Sequence, residues 1–284
     1  MPELPEVETI RCELAPRLAG RRIRSVEVLR PDIVGFPGRA AFERGALGRR
    51  IAGLGRRGKY LLLRLDQGQE LVFHLRLSGH LEVCGDGARP RRGARPRFER
   101  ARFELSGGRA LSFIEPRVLG RVYLVESGKY PPALSGMERM GLEPIDPRFD
   151  AAYLGARLAG RKATVKSLLL DQRVCCGVGN IYSDEALARA RIRPIRPGGS
   201  LSPAEVAGLA RHLRGVLRDG IRLCGTTLGD GRYLRPGTEP GGFQARLRVF
   251  GREGERCRRR GCRGTVERVK LGSRSSYCCP DCQV

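Results

Sequence analysis

The sequence predicts an α+β protein of two domains, in which an N-terminal helix and an antiparallel β-sandwich precede a helical domain that ends in a β-hairpin. Three observations predict this order. Strand-like runs separated by turn signals dominate the first 125 residues, helical periods dominate residues 151–218, and a Pro-rich stretch without periodicity separates them. The predicted bounds are 1–127 for the helix and β-sandwich, 128–148 for the linker, 149–250 for the helical domain and 251–284 for the terminal hairpin.

The predicted N-terminal helix spans Glu6–Leu18, and Pro16 and Gly20 predict its end. Its apolar positions recur at helical spacing: Val7, Ile10, Leu14 and Leu18. The strands predicted after it are Arg22–Leu29, Lys59–Leu65, Glu70–Leu77, Arg102–Leu105, Ala110–Ile114 and Arg121–Val125. The segment Gly85–Pro96 is rich in Arg, Gly and Pro, which indicates a mobile basic loop.

Helical periods return after the linker. The predicted helices are Ala151–Leu158, Thr164–Leu170, Ile181–Arg191 and Pro203–Arg218. The last one has Ser202 as its N-cap, Pro203 at the first position and Glu205 as the capping-box partner. The Gly-rich segment Leu228–Gln244 is long enough to be a functional loop.

The net charge of the 284-residue chain is +24, from 54 Lys and Arg against 30 Asp and Glu. A charge this large indicates a polyanionic partner, most often nucleic acid. The sequence has no run of 18 apolar residues and no signal-peptide pattern, so we expect a soluble, cytoplasmic protein without a membrane partner. We also expect a monomer.

Five of the ten cysteines lie in the last 28 residues. Cys257 and Cys262 form one close pair and Cys279 and Cys282 another, with a spacer of hairpin length between the pairs. Four thiolates in this pattern predict one structural Zn²⁺ in a tetrahedral site, and so a zinc finger, whereas disulfides or idle thiols are the alternative. Cys278 could replace Cys279 as a ligand, although the tight Cys-Pro-Asp-Cys turn favours Cys279.

Two further segments could carry chemistry. The turn Cys176–Asn180 joins the helix bearing Lys166 to the next helix, and its two glycines and the new helix N-terminus favour a phosphate. This predicts a helix–turn–helix-like DNA-binding element, although a tight turn alone could need the same glycines. At the N-terminus, removal of Met1 would leave Pro2 as a free secondary amine beside the carboxylates of Glu3 and Glu6. An acidic, capped helix start is the alternative there.

Taken together, these residues resemble the bacterial formamidopyrimidine-DNA glycosylase family, bifunctional enzymes that excise oxidised purines. Four segments carry the resemblance, namely Met-Pro-Glu-Leu-Pro-Glu-Val-Glu at residues 1–8, Gly-Lys-Tyr-Leu-Leu-Leu at 58–63, Gly-Val-Gly-Asn-Ile-Tyr at 177–182 and the four cysteines. The resemblance covers nearly the whole chain. It implies DNA repair by base excision on double-stranded DNA with oxidised bases or abasic sites, and a nucleoid-associated bacterial protein that binds this DNA between its two domains.

The resemblance also implies roles for individual residues. Pro2 would attack C1′ and form a Schiff base, Glu3 would act as acid and base at the sugar, and Glu6 would support it. Lys59 would assist β-elimination, and Arg274 would grip a phosphate and assist δ-elimination. The implied DNA contacts are His74, Leu77, Arg100, Arg117, Leu119, Arg161, Lys166, Asn180, Tyr182 and Glu185. Among these, Arg117 would fill the gap opposite the lesion, Leu77 and Leu119 would be apolar wedges, and Glu185 would lie with the 228–244 loop where the flipped base is read.

The chain departs from the family pattern in ways that leave lesion preference open. Both wedge positions hold Leu where Met and Phe are usual, and Gly229 stands where many members have a base-reading Lys. The family's Lys-His-Asp-His run is Arg-Phe-Glu-Arg here, from Arg97 to Arg100, and the first cysteine pair is two residues wider. Two alternatives therefore remain, an enzyme of the same superfamily for oxidised pyrimidines or abasic sites, and a non-catalytic protein that binds damaged DNA.

Overall fold

The computed structural model describes residues 2–85, 95–229, 233, 235–236 and 239–284. The chain divides into two compact units. The first comprises Met1–Glu138 and Cys224–Gly241, and the second comprises Arg139–Leu223 and Gly242–Val284. The segment Cys224–Gly241 thus belongs to the first unit, although it follows most of the second unit in the sequence. The domain boundaries predicted from the sequence place this segment in the helical domain.

The first unit is built from two helices and nine strands among the described residues. In chain order these are α1 Leu4–Leu18, β1 Ile23–Val28, β2 Val34–Phe36, α2 Arg39–Ala46, β3 Ile51–Arg57, β4 Tyr60–Leu65, β5 Gln69–His74, β6 His80–Cys84, β7 Glu99–Leu105, β8 Arg109–Ile114 and β9 Arg121–Glu126. They form a four-stranded sheet in the order β1-β7-β8-β6 and a five-stranded sheet in the order β2-β9-β5-β4-β3. Every strand pair is antiparallel except β2 with β9.

The two sheets pack face to face, as the β-sandwich prediction requires. The ring of Phe73 on β5 lies edge-on to Phe103 on β7 and to Phe113 on β8, with centroids 6.1 and 5.6 Å apart. One continuous apolar core includes residues of α1, α2 and both sheets.

Helix α1 buries the apolar stripe that the sequence predicts, from Val7 to Leu18. It differs from the prediction at Pro16, which lies inside the last turn instead of ending the helix. Proline removes the hydrogen bond to the carbonyl four residues earlier, and here that carbonyl belongs to the exposed Cys12, where water can replace the lost donor.

The six strands predicted in this unit are present to within three residues at each end, but four elements were missed: β2, β3, β6 and α2. Strand β3 lies at a sheet edge and contains two glycines and two arginines, so it lacks the alternating apolar pattern. Helix α2 contains Gly45, where a Cβ would lie 2.5 Å from the Leu124 side chain. Most of the basic loop predicted at Gly85–Pro96 lies outside the described residues.

The second unit contains four helices and one hairpin among its described residues. These are α3 Ala151–Leu158, α4 Val165–Leu170, α5 Asn180–Ala190, α6 Pro203–Arg222, β10 Glu267–Leu271 and β11 Arg274–Cys278. The predicted capping box opens α6, since Glu205 N donates to Ser202 Oγ and Ser202 N donates to Glu205 Oε2. Among the described helices, none is long and apolar enough to cross a membrane.

Candidate active site and cysteine cluster

The N-terminus of α1 holds two buried carboxylates next to Pro2. Pro2 itself is buried, and Glu3 and Glu6 are 2% and 1% exposed. Glu3 is the N-cap, and its backbone N–H donates to Glu6 Oε2 over 2.8 Å. This capping box fixes both carboxylates within one turn of Pro2, so the residue that the sequence identifies as the nucleophile lies beside two potential proton carriers.

Glu6 also ties the N-terminus to the late segment of the first unit. Its second oxygen, Oε1, accepts a hydrogen bond of 2.8 Å from Thr226 N, across 220 residues of sequence. The neighbouring Gly225 has a φ of +80°, and a Cβ there would lie 2.9 Å from Glu6 Cγ and Oε1. Glu6 is therefore fully engaged as a positioning group, and Gly225 provides the space and the backbone conformation that the contact needs.

A chain of polar contacts connects α1 to the turn that carries Lys59. Glu8 Oε2 accepts from Arg56 Nε over 2.9 Å, and Arg56 Nη1 donates to the carbonyl of Gly58 over 3.0 Å. Burial raises the pKa of Glu8, but Arg11 and Arg56 outweigh it and lower the pKa to about 2. The ionised Glu8 thus orients Arg56, and Arg56 holds the β3–β4 turn in which Lys59 is buried at 8% exposure.

His74 lies at the end of β5, opposite Tyr60 of β4, the residue after Lys59, and its imidazole ring is neutral. Burial, followed by the charges of Arg76 and Lys59, lowers its pKa to about 3. Arg76 N donates to His74 Nδ1 over 3.1 Å, which assigns the ring proton to Nε2. The ring also packs edge-on against Tyr60, with centroids 4.5 Å apart. His74 can therefore act as a neutral hydrogen-bond donor but not as a cation.

The predicted wedges, Leu77 and Leu119, lie in two exposed turns, and the buried carboxylate of Glu115 forms hydrogen bonds with both turns. Leu77 is 37% and Leu119 is 43% exposed. Glu115, which is fully buried, accepts from Arg117 N over 3.1 Å, from Gly120 N over 2.8 Å and from the Ser78 hydroxyl. This single side chain therefore fixes the turn after Leu77 and the turn around Leu119 relative to each other.

Arg117 itself is exposed, as its predicted role requires. Arg100 belongs to the altered Arg-Phe-Glu-Arg run and is only half-buried. Its Nε donates to the Glu115 carbonyl over 2.8 Å, so it braces the turn before Arg117.

Lys166 lies inside the second unit, and the phosphate contact that the sequence predicts for it stays a prediction. The residue is 1% exposed, and its Nζ donates to Asp184 Oδ1 over 2.6 Å and to the carbonyl of Asn180 over 2.9 Å. Burial raises the pKa of Asp184 to about 6, although Lys166 opposes the shift. An ammonium group in this position holds the start of α5 from within.

Tyr182 and Glu185 are likewise buried, and the DNA contacts predicted for them stay predictions. Tyr182 is fully buried in the apolar core against Phe243, with ring centroids 5.2 Å apart. The Glu185 carboxylate accepts backbone N–H bonds of 2.9–3.0 Å from residues 248, 249 and 250. Glu185 therefore anchors the chain segment that leads into the cysteine cluster.

Asn180 and Arg274 are brought together. Asn180 opens α5 and its Nδ2 donates over 2.9 Å to the carbonyl of Ser275, the residue after Arg274. Its Oδ1 is buried without a hydrogen-bond partner among the residues that the structure describes. Arg274 is exposed at the start of β11, and Arg161 is exposed in the turn after α3. These two cations are available to a phosphate.

The four predicted cysteines form one cluster. Their sulfur atoms all lie within 4.8 Å of one another. The distances from Cys257 to Cys282 and from Cys262 to Cys279 are 3.8 and 3.7 Å. Tetrahedral zinc with Zn–S bonds of about 2.3 Å requires sulfur atoms about 3.8 Å apart, so the cluster has the dimensions of such a site.

The structure also decides between the two adjacent cysteines. Cys279 belongs to the cluster, whereas the neighbouring Cys278 ends β11 and is buried outside it. The wide first pair is accommodated by a turn, in which Cys262 N donates to the carbonyl of Arg259 and Gly261 has a φ of +78°.

Sequence reasoning missed Thr226, Arg56 and Glu115, which position the site through buried hydrogen bonds. Arg56 and Glu115 lie within three residues of Lys59 and Arg117, which the sequence analysis names as site residues. This proximity is the one feature of the sequence that could have indicated a role for them. No sequence pattern indicates a role for Thr226, because its partner Glu6 lies near the other end of the sequence.

Comparison with known proteins extends these observations. The N-terminal domain of formamidopyrimidine-DNA glycosylase matches residues 1–122, and the H2TH domain of formamidopyrimidine-DNA glycosylase matches residues 140–231. The formamidopyrimidine-DNA glycosylase of Pelotomaculum thermopropionicum is 41% identical over 283 residues, which is 100% of this chain and 99% of that protein. The enzyme of the same name from Moorella thermoacetica is 45% identical, with 95% of each chain covered.

Solved structures agree with this. The crystal structure of the MutM (Fpg) protein from Thermus thermophilus has a TM-score of 0.88 and 40% identity, and covers 99% of this chain and 98% of its own. The Lactococcus lactis Fpg, in complexes with DNA containing an abasic site or Fapy-dG, has a TM-score of 0.88 and 29% identity, with 99% of each chain covered. With two domain matches that together span most of its length, the chain belongs to the formamidopyrimidine-DNA glycosylase family.

Proposed function

We propose that this protein is a base-excision-repair DNA glycosylase with AP lyase activity that removes oxidised purines, namely formamidopyrimidine and 8-oxoguanine. One observation carries the proposal: Pro2 lies buried beside Glu3 and Glu6 at a capped helix start. Membership of the family supports it, because the Lactococcus lactis relative is seen with Fapy-dG-containing and abasic DNA.

The chemistry begins with the amine of Pro2, which becomes the nucleophile once Met1 is removed. An α-amine with an ordinary pKa of about 7.7–8.0 is partly unprotonated near neutral pH. Its nitrogen attacks C1′, the bond to the damaged base breaks, and the base leaves with the electron pair and a proton. The C1′–O4′ bond of the sugar then breaks as O4′ takes a proton, and the open-chain sugar stays attached to Pro2 as an iminium ion, which is the Schiff base of a secondary amine. Glu3 exchanges protons with the sugar, and Glu6 holds Glu3 in place through its backbone.

Strand scission follows from the same intermediate. The positive iminium nitrogen acidifies the C2′ hydrogens, so the 3′ phosphate is expelled by β-elimination and the 5′ phosphate by δ-elimination. Lys59, in the turn held by Arg56, assists the first elimination, and Arg274 binds the phosphate expelled in the second.

Recognition of DNA divides into two groups of residues. The exposed Leu77, Arg117 and Leu119 enter the base stack, and Arg161 and Arg274 bind phosphates together with the N-terminus of α5 at Asn180. Lys166, Tyr182 and Glu185 act from inside, as positioning residues. One structural Zn²⁺, held by Cys257, Cys262, Cys279 and Cys282, fixes the hairpin that carries Arg274.

Base release from a panel of duplexes tests the proposal. Duplexes with formamidopyrimidine, 8-oxoguanine, thymine glycol or an abasic site are incubated with the protein, and the free base and strand breaks are measured separately. We expect release of both oxidised purines, followed by breaks carrying phosphate at each end. Tight binding without base release or strand breaks would instead identify a non-catalytic damage-binding protein.

One observation favours the pyrimidine alternative enough to keep thymine glycol in the panel. Both predicted wedges, Leu77 and Leu119, are aliphatic. A Cβ built on Gly229 would have no described atom within 4 Å, so the space next to this glycine is not filled by a side chain of the described residues. Faster release of thymine glycol than of either purine would transfer the proposal to oxidised pyrimidines.

A further inference from the structure

A second basic site lies at the C-terminal ends of α5 and α6, in the second unit. A cavity of about 310 Å³ opens there. Its charged lining residues are Arg189, Asp219, Arg222, Arg246, Arg248 and Arg258. Five guanidinium groups therefore surround one carboxylate among the residues that the structure describes.

The single carboxylate is already shared. Asp219 Oδ2 accepts from Arg189 Nη1 over 2.8 Å, and Asp219 Oδ1 accepts from Arg222 Nη2 over 2.9 Å. One negative charge thus balances two arginines, and the other three form no ion pair with a residue that the structure describes.

Outside the cavity lining, the carboxylate of Glu185 attracts Arg248, and this charge offsets part of the positive excess of the remaining arginines. Arg258 donates to the carbonyl of Leu247 over 2.8 Å, which satisfies a donor but adds no negative charge. Arg246 and Arg248 are exposed, and their side chains form no hydrogen bond or ion pair with any described residue. The Nε of Arg189 is buried and also lacks a partner among those residues.

The field of these groups is positive. Partial burial of its guanidinium and then repulsion from Arg189 and Arg259 lower the pKa of Arg248, although the Glu185 carboxylate opposes the shift. The two helix C-termini contribute about half a negative charge each, which offsets only part of the excess. Several arginine donors facing one cavity with an uncompensated positive field form an arrangement suited to an anion.

The cavity is separate from the phosphate-binding end of α5. Arg189 lies nine residues after Asn180 on the same helix, and at 1.5 Å per residue the two are about 13 Å apart along the helix axis. A phosphate bound at Asn180 therefore does not reach the cavity.

We propose that this cavity binds two adjacent phosphate groups of a polyanion. Planar guanidinium groups match phosphate oxygens in pairs, and the volume admits a diphosphate together with its bound water. The two phosphates come from a DNA backbone or from a free polyphosphate such as pyrophosphate. The site does not depend on base excision, because it uses none of the residues assigned to that reaction.

The first assay is calorimetric titration of the full-length protein with inorganic pyrophosphate at low salt. The test variant is R246Q/R248Q, which removes two exposed cations whose side chains form no hydrogen bond with a described residue. The matched control is R139Q/R157Q, which removes two exposed arginines of the same unit that do not line the cavity. We expect pyrophosphate to bind the wild type and the control alike, and the test variant at least tenfold more weakly. Far-UV circular dichroism verifies that both variants are folded.

The second assay identifies the source of the phosphates. Affinity for an undamaged duplex is measured against salt concentration, where each phosphate contact adds about 0.9 to the slope of log K against log salt. A slope smaller by about 1.8 in R246Q/R248Q than in R139Q/R157Q assigns the cavity to DNA. An equal slope with weakened pyrophosphate binding assigns it to a free polyphosphate. If the two variants behave alike in both assays, the proposal is overturned.

Discussion

Replacing Glu6 by Gln should loosen the N-terminal site without removing any group that contacts DNA. In the native protein the two oxygens of Glu6 accept from Glu3 N and Thr226 N, each over 2.8 Å, and the side chain is 1% exposed. Gln keeps one of these acceptors and turns an NH₂ group toward the other backbone donor. One charge-assisted hydrogen bond is lost and one buried N–H is left unsatisfied, which costs about 2–4 kcal/mol.

Hydrogen–deuterium exchange of the Thr226 amide measures this directly. At about 1.4 kcal/mol per factor of ten, the amide should exchange about 30- to 700-fold faster in Glu6→Gln than in the wild type. The matched control is Glu27→Gln, in which a surface pair with Arg95 is lost, and it should change local stability by less than about 1 kcal/mol. Equal protection of Thr226 in both variants would refute the idea that Glu6 ties the N-terminus to this segment.

Three further predictions follow from other contacts. The pKa of Glu8 is lowered to about 2, below its ordinary value of 4.5, so its ion pairs stabilise the protein above pH 4.5 and lose that effect as the pH falls toward 2. In urea denaturation at pH 7, Glu8→Gln should therefore be less stable than the wild type by about 1–2 kcal/mol. The difference in stability should vanish near pH 2. Cys279→Ser should lose the bound zinc measured by mass spectrometry, whereas Cys278→Ser should retain one ion per chain, and equal metal content would contradict the assigned ligand set. Lys166→Met should lower the free energy of unfolding by about 3–5 kcal/mol, because it leaves the buried carboxylate of Asp184 without its counter-charge. The exposed Lys162→Met should change that free energy by less than about 0.5 kcal/mol. Similar losses in both variants would show that the buried pair does not hold α5.

The sequence predicted those features whose chemistry is local. The four cysteines were identified because metal ligands recur at short, fixed spacings, and α6 because Ser202 and Glu205 form its capping box within one turn. The structure confirms the predicted order of helix, sandwich, helices and hairpin. This order could be predicted because apolar periodicity indicates which face of a helix or strand is buried.

What the sequence could not predict depends on contacts between distant residues. Tyr182 and Glu185 follow the turn for which the sequence predicts phosphate binding, and that proximity suggested contact with DNA, but both side chains are buried. The same limit hid the contact of Glu6 with Thr226, because the two residues lie 220 positions apart in the sequence. Burial is set by tertiary packing, so a polar residue beside a motif is as readily a support as a ligand.

Borohydride trapping tests the central claim, that Pro2 is the nucleophile. The protein is mixed with a Fapy-dG duplex, the Schiff base is reduced to a stable amine, and the adduct is mapped by peptide mass spectrometry. We predict a single adduct on the nitrogen of Pro2 in chains that lack Met1, and the same adduct in Lys59→Met. An adduct on Lys59, or none in a protein that binds the duplex, would contradict the account.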